Sequence, residues 1–395
     1  MLVTTLRAAR PGNPKPLLKI CLLLCPVSFV LTYVLSVAMR AVGRRARAFD
    51  SPATQGRVKE ASRAIPNLGG VAIFMGLAGP IIAGMVAATL APDALVNWLP
   101  ILAPYLEGIQ KQAPLGFLFV GCLTLLHVIG VIDDRRPLDP FLKLGFMILP
   151  ALAMATIGQT RMFTFLDAGD GLPILSIAIT VVWFVIITNA LNFMDNMDGL
   201  CAGVAAMVAA FLLFGAAQSE QWFVAATLSL LLGACLGFLM LNRPPATLFM
   251  GDGGSLVLGF ALATLTVRAT YIGDASAAIG SDPSLAYRWY AVLTPLVVLA
   301  VPLYDFITVV TIRISQGRSP FVGDLQHLSH RLVRRGLSKS AAVGTVVILT
   351  VVTGVSGLLL MSASPVGAAL IALQTIAVLA VTASLEFGGT GRAGT

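Results

Sequence analysis

Apolar runs long enough to cross a bilayer, about 20 residues each, recur along this chain, and only a bundle of membrane-crossing helices can hold so many of them. Eleven stand out, at roughly 19–39, 67–90, 114–132, 141–157, 172–191, 201–217, 222–241, 254–270, 289–312, 340–361 and 364–385. The fourth and sixth are short, so a tilted or broken helix is expected there. Charge agrees with this reading. Only 11% of the residues are Asp, Glu, Lys or Arg and 57% are hydrophobic, too few charges to cover a soluble protein of this size. A cytosolic globular enzyme, a disordered chain and a coiled coil are excluded. The expected fold is all-α and polytopic. It has a tail over 1–18, a single transmembrane domain over 19–385 and a C-terminal tail over 386–395. Polar connections fall at 40–66, 133–140, 192–200, 242–253 and 313–339. Lys15 and Lys19 precede the first run without a small-residue cleavage site, so a retained helix is expected rather than a removed signal.

The net charge of +8 does not point to nucleic acid, because the basic residues sit at the ends of apolar runs, where they orient helices and meet anionic lipid. Connections after odd-numbered runs, with the C-terminus, hold eighteen of the 26 Lys and Arg residues. The positive-inside bias therefore predicts a cytoplasmic C-terminus and an outer N-terminus.

Acidic residues beside a membrane core are costly and mark function by default. Three stretches carry them on the same predicted face: Gly130-Val-Ile-Asp133-Asp134-Arg135-Arg136, Asn189-Ala-Leu-Asn192-Phe-Met-Asp195-Asn196-Met-Asp198-Gly199, and Gly251-Asp252-Gly253-Gly254-Ser255. Each alone reads as a helix cap or a solvated turn; their shared face argues for a common site. Asn189, Asn192, Asp195 and Asp198 recur at i, i+3, which predicts a polar stripe along one helix. Clustered oxygens suit a hard cation, and Mg²⁺ typically binds one or two carboxylates together with substrate phosphates.

A fourth patch spans Arg313 to Leu332, with Arg318-Ser319-Pro320-Phe321, Asp324 and His327-Leu-Ser329-His330-Arg331. Its paired histidines lack a third zinc ligand nearby, and phosphate contact by imidazole and guanidinium fits the basic setting better. His127 reads as a packed core histidine. Asp305 reads equally as a cap, as a partner of Arg313 or as a catalytic group. A fifth patch offers Arg57, Lys59 and Arg63 before Pro66-Asn67-Leu68-Gly69-Gly70. Neither a G-x-x-x-x-G-K-[ST] phosphate loop nor a strand-borne G-x-G-x-x-G is present.

Taken in order from Asp50 to Leu332, these motifs resemble the signature of the polyprenyl-phosphate N-acetylhexosamine-1-phosphate transferases. The Ser319-Pro320-Phe321…Asp324 loop and the Pro302-x-x-Asp305 segment are most similar to the GlcNAc-1-phosphate branch, which starts O-antigen, enterobacterial common antigen or teichoic acid. They are less similar to the branch that makes the phospho-MurNAc-pentapeptide lipid of peptidoglycan. The resemblance implies a phosphoglycosyl transferase of the bacterial inner membrane, with its active site on the cytoplasmic face. Polyprenyl phosphate would attack the β-phosphorus of a UDP-N-acetylhexosamine and release UMP, with Mg²⁺ (or Mn²⁺) as cofactor and room for a homodimer. It implies metal binding by Asn192, Asp195 and Asp252, and an Asp133–Asp134 pair that orients or deprotonates the lipid phosphate. Lys59, Lys143, Asn189, Asp198, His327, His330 and Arg331 would bind substrate. Two positions depart from the family pattern: Ser329 stands where a middle histidine is usual, and Ala61 where a histidine often follows the basic pair. The reading from another class is an anion or proton-coupled transporter, but transporters place charge near the midplane. Here the acids fall at the ends of the runs.

Overall fold

The computed structural model describes residues 15–46, 65–167, 173–271, 293–321, 323–360 and 362–387, and the regular elements among them are all helices. These are α1 Lys15–Arg45, α2 Gly69–Leu90, α3 Pro92–Trp98, α4 Leu106–Arg135, α5 Pro140–Thr156, α6 Ile174–Met194, α7 Leu200–Gln218, α8 Trp222–Asn242, α9 Asp252–Tyr271, α10 Thr294–Val298, α11 Ala300–Ser315, α12 Leu328–Arg334, α13 Lys339–Leu360 and α14 Pro365–Phe387. Short 3₁₀ turns lie at Pro100–Tyr105 and Thr164–Leu166.

Within the described residues every apolar run falls on a helix, but the lengths differ from expectation. Among the described residues, nine helices are long and apolar enough to cross a membrane. The fourth run is short, as expected: α5 has 17 residues. The sixth is intact, because α7 spans 19 residues without a break. Instead the ninth run is interrupted. It separates at Leu299 into α10 and α11, with Pro295 and Pro302 on either side withholding backbone donors. The expected tail boundary at 18 and loop boundary at 40 both lie inside α1, which continues to Arg45.

The helices are arranged around α9. It packs on α4, α6, α2, α7 and α8, and 89% of its central window is buried, against 22% in α1 and α14. Lipid therefore meets the outer helices, whose exposed side chains are apolar, including Leu22, Leu23, Leu370 and Leu373. The close approach of α4 to α9 depends on Gly130, where a Cβ would sit 2.5 Å from the Asp252 backbone. Helices α1, α4, α6, α8, α11 and α14 end, and α2, α5, α7, α9 and α13 begin, at one end of the bundle, and all four acidic and basic patches gather there. The described chain enters α1 at the opposite end, where the Ser229 hydroxyl donates to the Cys21 carbonyl, and leaves α14 at the site end.

Candidate active site

The centre of the site is a lysine held between two carboxylates. Asp133 lies in the last turn of α4 and Asp252 is the first residue of α9. Between α4 and α5, Asp139 accepts hydrogen bonds from the Phe141 and Leu142 amides and starts α5. Lys143, one turn further on, then reaches back. Its Nζ lies 2.9 Å from Asp133 Oδ2 and 2.5 Å from Asp252 Oδ2. Asp133 is 3% exposed, and its Oδ1 also accepts from the Leu138 amide. Two buried carboxylates this close would repel without it, so Lys143 offsets the repulsion between them.

Asp134 has a different part. Its carboxylate accepts from the backbone N–H groups of Asp252 (3.1 Å) and Gly253 (3.4 Å), so it caps α9 from another helix and complements that helix's positive end. The turn before α9 is tight. Gly251 has φ +70°, and a Cβ there would strike Asp134 and Asn67. Backbone bonds from Phe249 to Pro66, Gly69 to Phe249 and Gly70 to Met250 fix this turn against the start of α2. His127 stacks on Phe74 with centroids 4.7 Å apart, and its Nδ1 lies 2.8 Å from the Gly253 carbonyl.

The polar stripe expected at 189–198 is shorter than its spacing predicts. α6 stops at Met194, and residues 195–199 form turns closed by Gly199 at φ +77°. Asp195 and Asp198 are thus off the helix, because a run of Asp and Asn before Gly prefers turns. Asn192 donates to Ser255 Oγ on α9 at 2.8 Å, beside Asp252. Asn189 donates to the Val185 carbonyl and to Met147 Sδ. Asp198 accepts from the Ala246 amide and joins this turn to the α8–α9 connection.

The loop after α11 closes over the same end, anchored by residues the sequence left in the background. Arg313, 2% exposed, grips Asp324 through Nε (3.2 Å) and Nη2 (3.0 Å), donates to the Pro320 carbonyl, and lies over the Phe193 ring at 5.0 Å. Phe321 meets Phe141 of α5 at 5.6 Å between centroids. Asp305 is not the partner of Arg313. Its Oδ1 caps α12 by accepting from the Leu328 amide, and its Oδ2 holds His327 Nδ1 at 2.9 Å. Ser329 donates to Asn196 Oδ1 at 2.6 Å and is 1% exposed, so in this chain the middle position of the motif fastens the loop to the α6–α7 turn. His330 lies beside His327, with ring centroids 6.5 Å apart. Arg331, expected to hold a diphosphate, is instead 4% exposed, its guanidinium engaged by Glu386, Thr308 and the Gln326 carbonyl. Lys59, with Arg57 and Arg63, lies outside the described residues.

Burial alone would raise the Asp324 carboxyl, but the hydrogen bonds from Arg313 and the Gln326 amide outweigh it and leave the group below the ordinary aspartate range. A depressed folded value means that its anchoring is complete above the unfolded value of about 4 and is lost as pH falls through the folded one. Limited digestion by an acid-active protease should therefore begin to nick 316–327 only on acidification, and Asp324→Asn should be nicked at all pH values. Equal, pH-independent resistance of both proteins would contradict the anchor.

Among the described residues no group of three or more His, Cys, Asp or Glu side chains forms a cage for a metal by itself. The donors present are Asp252 and Asp133, neutralised by Lys143, with Asn192 tied to α9. This set fits a cation that brings phosphate ligands with it and does not fit an all-protein site.

The profile of glycosyl transferase family 4 matches residues 116–270, which include Asp133, Lys143, Asn192 and Asp252. The chain is 32% identical over 298 residues to the decaprenyl-phosphate N-acetylglucosaminephosphotransferase of Mycobacterium tuberculosis, covering 70% of this chain and 68% of the relative. It is 25% identical over 341 residues to a Bacillus subtilis protein named probable undecaprenyl-phosphate N-acetylglucosaminyl 1-phosphate transferase, covering 86% and 84%. A phospho-N-acetylmuramoyl-pentapeptide-transferase of Clostridium botulinum is 33% identical over a shorter 194 residues, 46% of this chain and 60% of the relative. By identity sustained over more than two thirds of both chains, this membrane protein belongs to glycosyl transferase family 4, in the branch of the polyprenyl-phosphate N-acetylglucosamine-1-phosphate transferases.

Proposed function

We propose that the chain transfers N-acetylglucosamine 1-phosphate from UDP-GlcNAc to a polyprenyl phosphate. A lipid phosphate oxygen bonds to the β-phosphorus, the bond from that phosphorus to the bridging oxygen breaks, and UMP leaves with that oxygen. The product is a polyprenyl-diphosphate-linked sugar that initiates a cell-envelope glycan. The observation carrying this reading is the Asp133–Lys143–Asp252 centre at one end of an apolar bundle. There a soluble nucleotide and a lipid head group can meet.

Both reactants are anionic, so the barrier is largely charge crowding. Mg²⁺, or Mn²⁺, bound at Asp252 with Asn192 and Asp195 as co-ligands, would supply charge neutralisation of the donor diphosphate. Asp133 orients the lipid phosphate. At neutral pH that phosphate is mostly dianionic, so a general base is not required. Lys143 can pass from its two carboxylates to an arriving phosphate, while His327 and His330 face the diphosphate from the loop. Asp134 acts by holding the start of α9 in place, Asp198 supports the α6–α7 turn, and Asn189 meets the nucleotide or supports the metal shell. Eleven passes, an outer N-terminus and a cytoplasmic C-terminus put the site at the inner face of the plasma membrane, in line with the distribution of Lys and Arg.

The purified protein, given polyprenyl phosphate and a panel of UDP-sugars that includes UDP-MurNAc-pentapeptide, is expected to release UMP from UDP-GlcNAc and to stop when EDTA removes divalent cations. Release from the pentapeptide donor alone would move the chain to the other branch. No release from any donor would remove the proposal.

A further inference from the structure

One buried acid has no place in this chemistry. Glu386 lies next to the last residue of α14, where the exposed carbonyls of a helix end disfavour a carboxylate, yet its side chain is fully buried. Arg331 Nε meets its Oε2 at 2.6 Å, and the Tyr304 hydroxyl is beside it. Arg335 Nε donates to the Glu386 carbonyl at 2.9 Å, and the Arg331 guanidinium also lies 5.6 Å from the Phe387 ring centroid. The same guanidinium is 3.9 Å from Asp305 Oδ1, and Asp305 Oδ2 holds His327 Nδ1 at 2.9 Å. A continuous line of charge thus runs Glu386–Arg331–Asp305–His327, from the last helix to an imidazole of the site.

We propose that Glu386 is a positioning residue for the His327 loop. By drawing Arg331 toward α14 it holds that guanidinium at the far edge of ion-pair range from Asp305 Oδ1, which leaves Asp305 Oδ2 to orient His327. Without the Glu386 charge, Arg331 closes the 3.9 Å gap to Asp305 Oδ1 and turns the carboxylate, loosening both the Leu328 cap and the Oδ2 contact to the imidazole, because a buried guanidinium cannot stay uncompensated. The inference rests on the reading in which His327 meets the donor diphosphate, and it concerns donor binding alone.

The test compares wild type, Glu386→Gln and Glu386→Asp in detergent, by hydrogen exchange and by steady-state kinetics with UDP-GlcNAc and polyprenyl phosphate. In Glu386→Gln, exchange across 326–334 is expected to rise about tenfold or more while α9 keeps its protection. The KM for UDP-GlcNAc is expected to rise about 10- to 100-fold, with the KM for polyprenyl phosphate within about twofold of wild type. Glu386→Asp should recover most of both effects. Unchanged exchange in 326–334, or parallel shifts in both KM values, would overturn the proposal. If wild type releases no UMP from any donor, the transfer reaction is what fails, and the exchange measurement still decides the link from Glu386 to the loop. Should Glu386→Gln not survive purification, Arg331→Lys, which keeps the charge but loses the fork of donors, is expected to give the same pattern. Wild-type behaviour of that variant would equally overturn it.

Discussion

Asp252→Asn is expected to lower UMP release by about 10²- to 10³-fold while the protein still inserts and folds. The side chain keeps its shape, and α9 keeps the Asp134 cap, which binds the backbone of residue 252 and not its side chain. Lys143 loses one of its two acids but retains Asp133 at 2.9 Å, so no charge is stranded in the interior. The variant removes the anionic oxygen that the first residue of the central helix supplies, beside Asn192 through Ser255. Cation-dependent charge neutralisation of the diphosphate should therefore be lost and stability largely kept, a separation that few buried acids permit. UMP release at saturating Mg²⁺, paired with a thermal unfolding midpoint, measures both. Near-normal turnover in a folded variant would remove Asp252 from the site.

How much of this was legible depended on the range of each signal. Apolar runs are local, and among the described residues each lies on a helix, but whether a run stays in one piece depends on neighbours. The sixth read as short, yet α7 is enclosed by α8, α9 and α13 and runs unbroken. The ninth read as continuous, yet it breaks between two prolines whose spacing was in plain view. The Asp-Asn-Met-Asp-Gly stretch carried a turn signal strong enough to end α6 at Met194, and the i, i+3 count passed over it. The division of labour between Asp133 and Asp134 was not readable at all. One faces Lys143 and the other caps a helix that starts 118 residues later, a distinction set by packing through Gly130. Arg331 shows the same limit. In sequence it is one more basic residue beside two histidines, and only α14 reveals that its partner is Glu386.

Lys143→Met should be the most disruptive change in the site. The ammonium pairs with both Asp133 and Asp252, and all three side chains are nearly enclosed, with 15%, 3% and 12% of their surface exposed. Removing one member of a buried charge cluster leaves the others uncompensated, at a cost of about 3–5 kcal/mol. Methionine fills most of the lysine stem's volume, so this loss reflects charge and not a cavity. Turnover should fall by about 10²-fold or more, because the carboxylates no longer hold their places and an arriving phosphate loses its cation. The variant also carries a signature that a simple packing defect lacks. Two carboxylates that have lost their shared cation offer a divalent ion a more negative oxygen site, and ligand binding to the folded state raises its stability. Mg²⁺ should therefore raise the unfolding midpoint of Lys143→Met more than that of wild type, and EDTA should abolish the difference. Lys143→Arg should recover stability better than turnover, since a planar fork satisfies two carboxylates but presents its charge differently to a phosphate. If Lys143→Met unfolds with wild type and its midpoint ignores Mg²⁺, the two acids do not depend on this lysine, and the charge balance at the heart of the proposed reaction is wrong.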